Sequence, residues 1–236
     1  MIKGENKTMK PIYEPKGLAR EYGELAVNIY TGCPHRCWYC FAPGITKKEK
    51  ERFHTDVRPR ENIVKKISDQ VKRENLTGKT IHMCFTCDPY PTGFDTTPTR
   101  DTIRVLKDAG NFVQVLTKGD GSRDFDLLEE GDWYGVTIDG SEPWDRIEKY
   151  MDAFRAAKEK GISTWVSFEP VLNADKVLSV IRIFHELFDK VKIGKLNYYP
   201  SDIDWKRFAK DADALCKNLG VNYALKTGLK EFVEKQ

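Results

Sequence analysis

Asn28-Ile-Tyr-Thr-Gly-Cys33-Pro-His-Arg-Cys37-Trp-Tyr-Cys40-Phe-Ala42 is the stretch on which the reading of this chain turns. Cys33, Cys37 and Cys40 stand at C-x3-C-x2-C, Tyr39 precedes the last, and no fourth cysteine lies nearby. Cubic iron–sulfur clusters are usually held by four thiolates, so a clamp of three leaves one iron for a ligand that is not protein. An open iron is a place where a small molecule can be bound and reduced. Gly32 reads as the residue that lets the chain turn sharply into the loop, and Pro34 stiffens it. The competing reading is a Cys3His zinc site completed by His35 or His54. The spacing is unusual for zinc, and His35 would have to ligate from inside the loop.

Outward from this loop, short apolar runs alternate with amphipathic charged segments. Strands are predicted at 25–30, 80–87, 112–117, 133–138, 164–168 and 191–197. Helical patterns fall near 60–75, 98–109, 142–160, 174–188 and 203–218. Gly110 and Gly161 close two of the helices as C-capping residues. Repeated strand–helix units imply an α/β fold with a parallel sheet and helices outside. Six units are two fewer than a complete (β/α)8 barrel, and in such barrels the loops after the strands carry chemistry. Residues 1–12 read as a mobile tail and 13–236 as a single domain.

Composition narrows the choice further. Apolar residues make up 40% and charged residues 32% of 236 residues, the profile of a soluble globular protein. No apolar run approaches the roughly 18 residues that a membrane span needs, and the polar start is unlike a secretory signal, so a cytoplasmic protein without a membrane partner is expected. Net charge is only +3, which argues against a large basic footprint for nucleic acid. Six cysteines in such a chain argue against a disulfide framework.

The triad with Tyr39 resembles the radical S-adenosylmethionine (SAM) superfamily. Tyr13-Glu-Pro-Lys-Gly17, Glu21-Tyr22, Asn28-x-Tyr30-x-Gly32-Cys33, Thr86-Cys-Asp88-Pro-Tyr90, Thr117-Lys118 and Arg123-Asp124 are similar to the blocks of its spore photoproduct lyase-like branch. The resemblance implies a partial (β/α)6 TIM-type barrel and a 4Fe-4S cluster on Cys33, Cys37 and Cys40. It also implies SAM on the fourth iron and release of a 5′-deoxyadenosyl radical after reduction by a flavodoxin or ferredoxin. A nucleic-acid or nucleotide substrate is implied as well. A peptide or small-molecule substrate, or a non-enzymatic metal-binding module for nucleic acid, are the alternatives.

Within that resemblance Tyr39 lies against the adenine. Thr86-Cys87-Asp88 stands where many members carry Gly-Gly-Glu, and Thr86 and Asp88 become candidates for the SAM ammonium, since a hydroxyl and a carboxylate accept from it. Lys118 is a candidate for the SAM carboxylate or a substrate phosphate, Thr137 and Asp139 for ribose hydroxyls, and Glu169 for the same mouth. Spore photoproduct lyases carry a hydrogen-donating cysteine just before the Thr-x-Asp element. Here that position is Phe85, flanked by Cys84 and Cys87, the two candidate donors. Strand parity with Thr86 places Cys84 toward the pocket.

Overall fold

The computed structural model describes residues 10–234, so the first nine residues of the expected tail lie outside the described residues. Ile12, assigned to that tail, belongs instead to the fold. It is buried, and its N–H and C=O are both held by the Gln70 amide at 2.9 Å.

The strands are β1 (Ile12–Tyr13), β2 (Leu25–Val27), β3 (Thr80–Met83), β4 (Phe112–Thr117), β5 (Trp133–Thr137), β6 (Ser163–Val171), β7 (Lys190–Lys195) and β8 (Tyr223–Leu225). They form one sheet in sequential order, with β1 antiparallel to β2 and every later pair parallel. β1 and β8 are its edges, so the sheet is a partial barrel rather than a closed one. The helices are α1 (Ala42–Thr46), α2 (Lys50–Thr55), α3 (Ile63–Glu74), α4 (Thr97–Asp108), α5 (Trp144–Glu159), α6 (Ala174–Phe184), α7 (Trp205–Asn218) and α8 (Thr227–Glu234).

All six strands expected from the sequence form, with a seventh parallel strand, β8, beyond them. β1 and β8 escaped the sequence reading because segments of two or three residues show no usable alternation. β4 alternates as a half-buried strand should, with Val113, Val115 and Thr117 buried, whereas Thr164–Phe168 of β6 is buried without interruption. α4 and α5 end at Gly110 and Gly161, both at positive φ, as the C-cap reading required. One departure bears on the site. β3 stops at Met83 rather than at 87, because Cys84 turns to φ +72°. Strand parity therefore does not reach Thr86, and the orientation argued for Cys84 on that basis fails.

The lumen is filled from below by side chains. Trp165 donates its indole N–H to the Val115 carbonyl at 2.9 Å, and its ring lies flat against Gly135. A Cβ at position 135 would sit 2.3 Å from Trp165 Nε1. Gly135→Ala is therefore expected to cost about 1–3 kcal/mol, the usual range for overpacking. Gly44→Ala in α1, where a Cβ meets nothing within 4 Å, should be neutral. Urea unfolding followed by tryptophan fluorescence compares the two, and equal midpoints would contradict the packing described.

Candidate functional site

The cysteine loop is built between β2 and α2. Asn28, immediately after β2, accepts on Oδ1 from the amides of Phe85 (2.8 Å) and Thr86 (2.9 Å) and donates from Nδ2 to the Tyr13 hydroxyl at 2.7 Å. The loops following β2 and β3 are thereby held side by side. The Cys33 amide donates to the Phe53 carbonyl at 3.2 Å, and His54 Nδ1 lies 2.7 Å from the Cys33 carbonyl. Gly32 is required for a reason other than a sharp turn. A Cβ there would lie 2.4 Å from the Phe53 carbonyl oxygen and 2.9 Å from that of Asp56, so α2 could not press onto the loop.

All six cysteines are unpaired, and Cys33, Cys37 and Cys40 are partly exposed on this loop. Burial pushes the Cys33 thiol up, and the Asp88 carboxylate adds to that push. Burial also raises Cys40. Thiols so placed favour deprotonation once a cationic metal centre supplies the missing charge, which is the chemistry of a metal or cluster clamp. Among the described residues no three His, Cys, Asp or Glu side chains converge on a single metal ion. His35, one candidate fourth zinc ligand, is committed elsewhere: its Nε2 sits 2.9 Å from Asp88 Oδ2.

Asp88 joins the loop to the sheet. Its Oδ1 accepts from the Tyr90 amide (2.8 Å) and the Thr117 hydroxyl (2.5 Å), while Oδ2 accepts from the Lys118 amide (2.8 Å) and pairs with His35. A carboxylate has about four lone-pair positions, and here all are used. Burial opposes the charged form, but His35 and these donors outweigh it and hold Asp88 below the usual carboxylate range.

A second network lies at the ends of β4 and β5. The Tyr39 hydroxyl donates to Asp139 Oδ2, and Lys118 Nζ bridges Asp139 Oδ2 and Glu142 Oε1, each at 2.9 Å. Glu142 also accepts from the amides of Asp139 and Gly140. Burial works against Asp139, yet the Lys118 ammonium and the hydroxyls of Ser141 and Tyr39 hold it at about 2. Two carboxylates against one ammonium leave this network one negative charge in excess. Glu142 went unrecognised in the sequence, although Asp139-Gly-Ser-Glu142 directly after a strand end was the available signal.

Glu169 stands apart from both groups. It accepts from the Tyr22 hydroxyl and pairs with Lys226 Nζ at 2.7 Å, beside Lys192, whose ammonium lies 4.0 Å from the Tyr22 ring centroid. Burial, with Lys190 and Lys226 nearby, pushes Lys192 down to about 8. Lys192 and Tyr22 were not singled out for this mouth from sequence. Phe85 packs on this group, stacked on His82 at 4.3 Å and edge-on to Tyr22 at 5.9 Å. Thr137 ends β5 opposite Ser167 and is partly exposed, and Thr86 is partly exposed after the Asn28 clasp.

The sequence pattern described as the radical SAM superfamily matches residues 27–187. The uncharacterized protein MJ0683 of Methanocaldococcus jannaschii is 29% identical over 180 residues, which is 70% of this chain and 66% of that protein. A spore photoproduct lyase complexed with dinucleoside spore photoproduct superposes with a TM-score of 0.67 at 11% identity, covering 93% of this chain and 79% of the other. A double mutant of spore photoproduct lyase with bound AdoMet and dinucleoside spore photoproduct gives 0.60 at 11% identity, covering 91% of this chain and 65% of the other. At that identity the superpositions speak for the fold.

The Asp88 hub yields a stability test. Its folded-state carboxyl titrates below the ordinary value near 3.9, so its contribution is complete above about pH 4 and disappears as pH falls through the depressed value. Asp88→Asn keeps the shape but cannot serve four donors. It should lose roughly 3 kcal/mol at neutral pH and flatten the acid limb of the stability profile. Urea midpoints between pH 3 and 7 report both, and an unchanged acid limb would remove Asp88 from this role.

Proposed function

The chain belongs to the radical SAM superfamily, and from that premise we propose that it is an enzyme that binds a 4Fe-4S cluster through Cys33, Cys37 and Cys40 and cleaves SAM beside it. Loaded with cluster and SAM, the site would supply hydrogen-atom abstraction from a nucleotide or nucleic-acid substrate. The observation that carries this reading is the placement of three unpaired thiols on one loop, tied through His35 to the Asp88 carboxylate in the loop after β3 and through Tyr39 to the Asp139 carboxylate after β5. When bound, cluster and SAM supply one-electron cleavage of a carbon–sulfur bond. The protein supplies position, charge and exclusion of water.

Charge favours this assignment. SAM carries a sulfonium and an ammonium against one carboxylate, a net positive charge, and the Asp139–Lys118–Glu142 network is negative by one. Lys118 is the group for the SAM carboxylate, and Asp139 with Glu142 balances the cationic end. Thr86 offers a hydroxyl to the ammonium, Thr137 to the ribose, and Tyr39 a ring for the adenine. Asp88 acts by holding the loop, since its lone pairs are spent on protein donors. Glu169, with Tyr22 and Lys192, faces the substrate side rather than SAM. Cys84 and Cys87 are the candidate hydrogen-atom donors. A small reduced flavodoxin or ferredoxin in the cytoplasm is the matching electron source. Among the described residues no helix is long and apolar enough to cross a membrane.

One observation favours a different substrate. A groove of about 760 Å³ runs from Trp38 on the cysteine loop to α6 and α7, lined by Asp175, Asp202, Asp204 and Asp211 with Arg207 as its cation. Phosphates would be repelled there, and a neutral or basic peptide or small molecule would not.

Anaerobic reconstitution with iron and sulfide, followed by reduction and SAM, should release 5′-deoxyadenosine, and a well-loaded protein that releases none would overturn the enzyme reading. Cys37→Ala is expected to lose both the brown chromophore and SAM cleavage. Lys118→Ala should keep the chromophore while weakening SAM binding about tenfold, equivalent to roughly 1.4 kcal/mol. Equilibrium binding of SAM to the loaded protein measures this, and an unchanged Kd would exclude Lys118 as a SAM contact.

A further inference from the structure

The positive charge of this chain is concentrated around the cysteine loop. Residues 33–60 carry seven Lys and Arg against three Asp and Glu, a net of +4, while the whole chain carries +3. The remainder of the molecule is therefore slightly acidic. The same segment exposes apolar side chains. Phe41, the neighbour of Cys40, is 55% exposed and Ile45 65%. The Ile45 amide donates to the Phe41 carbonyl at 3.3 Å, so the two lie one helical turn apart on one face of α1. Lys47, Lys50 and Arg52 are exposed beside them, and Lys50 Nζ donates to the Trp38 carbonyl of the loop at 3.0 Å. Single exposed apolar residues are ordinary, but a pair on one turn with a rim of cations has the composition of a recognition patch.

We propose that this patch of α1 and α2 docks an acidic one-electron carrier protein of the flavodoxin type, which passes its electron to a cluster on Cys33, Cys37 and Cys40; the proposal rests on the functional reading above. The cysteine loop has two faces. His35 and Tyr39 reach inward to Asp88 and Asp139, the side assigned to SAM, whereas Phe41 and Ile45 face solvent. A carrier seated on the solvent face comes within one peptide bond of Cys40 without entering the mouth, and electron transfer falls steeply with distance. Charge selects the same partner. The groove that begins at Trp38 is lined by four aspartates against Arg207, so an acidic protein is steered to α1 and α2 instead. Nucleic acid suits the patch less well. Arg36 is committed to Glu51 at 2.7 Å, and Lys48 and Arg58 to Asp56, which leaves few cations for the run of phosphate contacts that backbone binding needs.

Encounters between electron carriers and their acceptors use small interfaces and rely on charge for rapid association. One apolar pair inside a cationic rim matches that kind of contact. The planar, largely apolar edge of a flavin is a suitable neighbour for the Phe41 ring. In the step itself one electron leaves the carrier's flavin hydroquinone, which becomes a semiquinone, and the loaded site gains that electron. No bond of this chain forms or breaks.

The test uses cluster-loaded protein without SAM. Binding of oxidised flavodoxin is measured by calorimetry, and electron transfer from reduced flavodoxin by the paramagnetic signal of the reduced cluster. Lys47→Glu combined with Arg52→Glu should weaken binding and slow the transfer about tenfold at low salt. Ile45→Ser should weaken binding at high salt as well, since an apolar contact is not screened. Lys149→Glu with Lys160→Glu, at and just beyond the end of α5, makes the same change in net charge on exposed residues and should leave both quantities within about twofold. Reduction by dithionite, a small reagent that needs no docking surface, should be equal in all variants. The proposal fails if the Lys47/Arg52 variant binds and accepts electrons as the wild type does, if the α5 variant loses as much, or if flavodoxin neither binds nor reduces the wild type. It also fails if the Lys47/Arg52 variant loses binding of a single-stranded oligonucleotide while still accepting electrons. Dithionite-reduced protein that releases no 5′-deoxyadenosine from SAM bears on the functional reading alone.

Discussion

One buried carboxylate ties the cysteine loop to the barrel. Asp88 accepts from two backbone amides, one hydroxyl and the His35 imidazole, which belong to the loop after β3, the end of β4 and the cysteine loop. Each donor loses water on burial, and an unpaired one costs about 1–3 kcal/mol, so the three segments are coupled through a single side chain. The loop has little apolar anchorage of its own, with Trp38 and Phe41 about half exposed. Its position follows from polar contacts and from the backbone carbonyls of α2 pressed against Gly32.

From that anchor the charge pattern of the mouth follows. Lys118 projects between Asp139 and Glu142 because its own amide is fixed by Asp88 and its carbonyl by Arg146 and the Tyr150 hydroxyl, each at 2.8 Å. A buried ammonium needs such partners: burial alone lowers its proton affinity, and the two carboxylates more than restore it. The result is a preorganised site with fixed charges on strand ends. Ligand charge can then be recognised without large rearrangement, which is the condition for electrostatic selectivity in a low-dielectric pocket.

The far side of the mouth is organised differently. Tyr22, Phe85, His82 and Trp165 fill the lumen, and the Glu169, Lys192 and Lys226 groups are spaced around the Tyr22 ring. His82 is buried there with neither ring nitrogen hydrogen-bonded, and burial together with Lys192 drives it down to about 3, so it is neutral. Here two ammonium groups lie against the Tyr22 ring, whereas on the Asp139 side one ammonium touches two carboxylates directly.

How much of this was legible beforehand follows from the range of each interaction. The C-x3-C-x2-C spacing, the strand–helix alternation and the capping glycines at 110 and 161 are local patterns, so the amino-acid order alone determined the parallel α/β architecture and singled out the three thiols. The contacts that define the site are not local: His35 meets Asp88 across 53 positions and Tyr39 meets Asp139 across 100. Which carboxylate is spent on the protein and which remains with Lys118 depends on strand register and loop closure, and neither leaves a mark in a window of a few residues. The same holds for Cys84. Its apolar surroundings read as a continuing strand, and only the carbonyl of Val27 and the side-chain oxygen of Asn28, arriving from β2, hold the bend that takes it out of the strand.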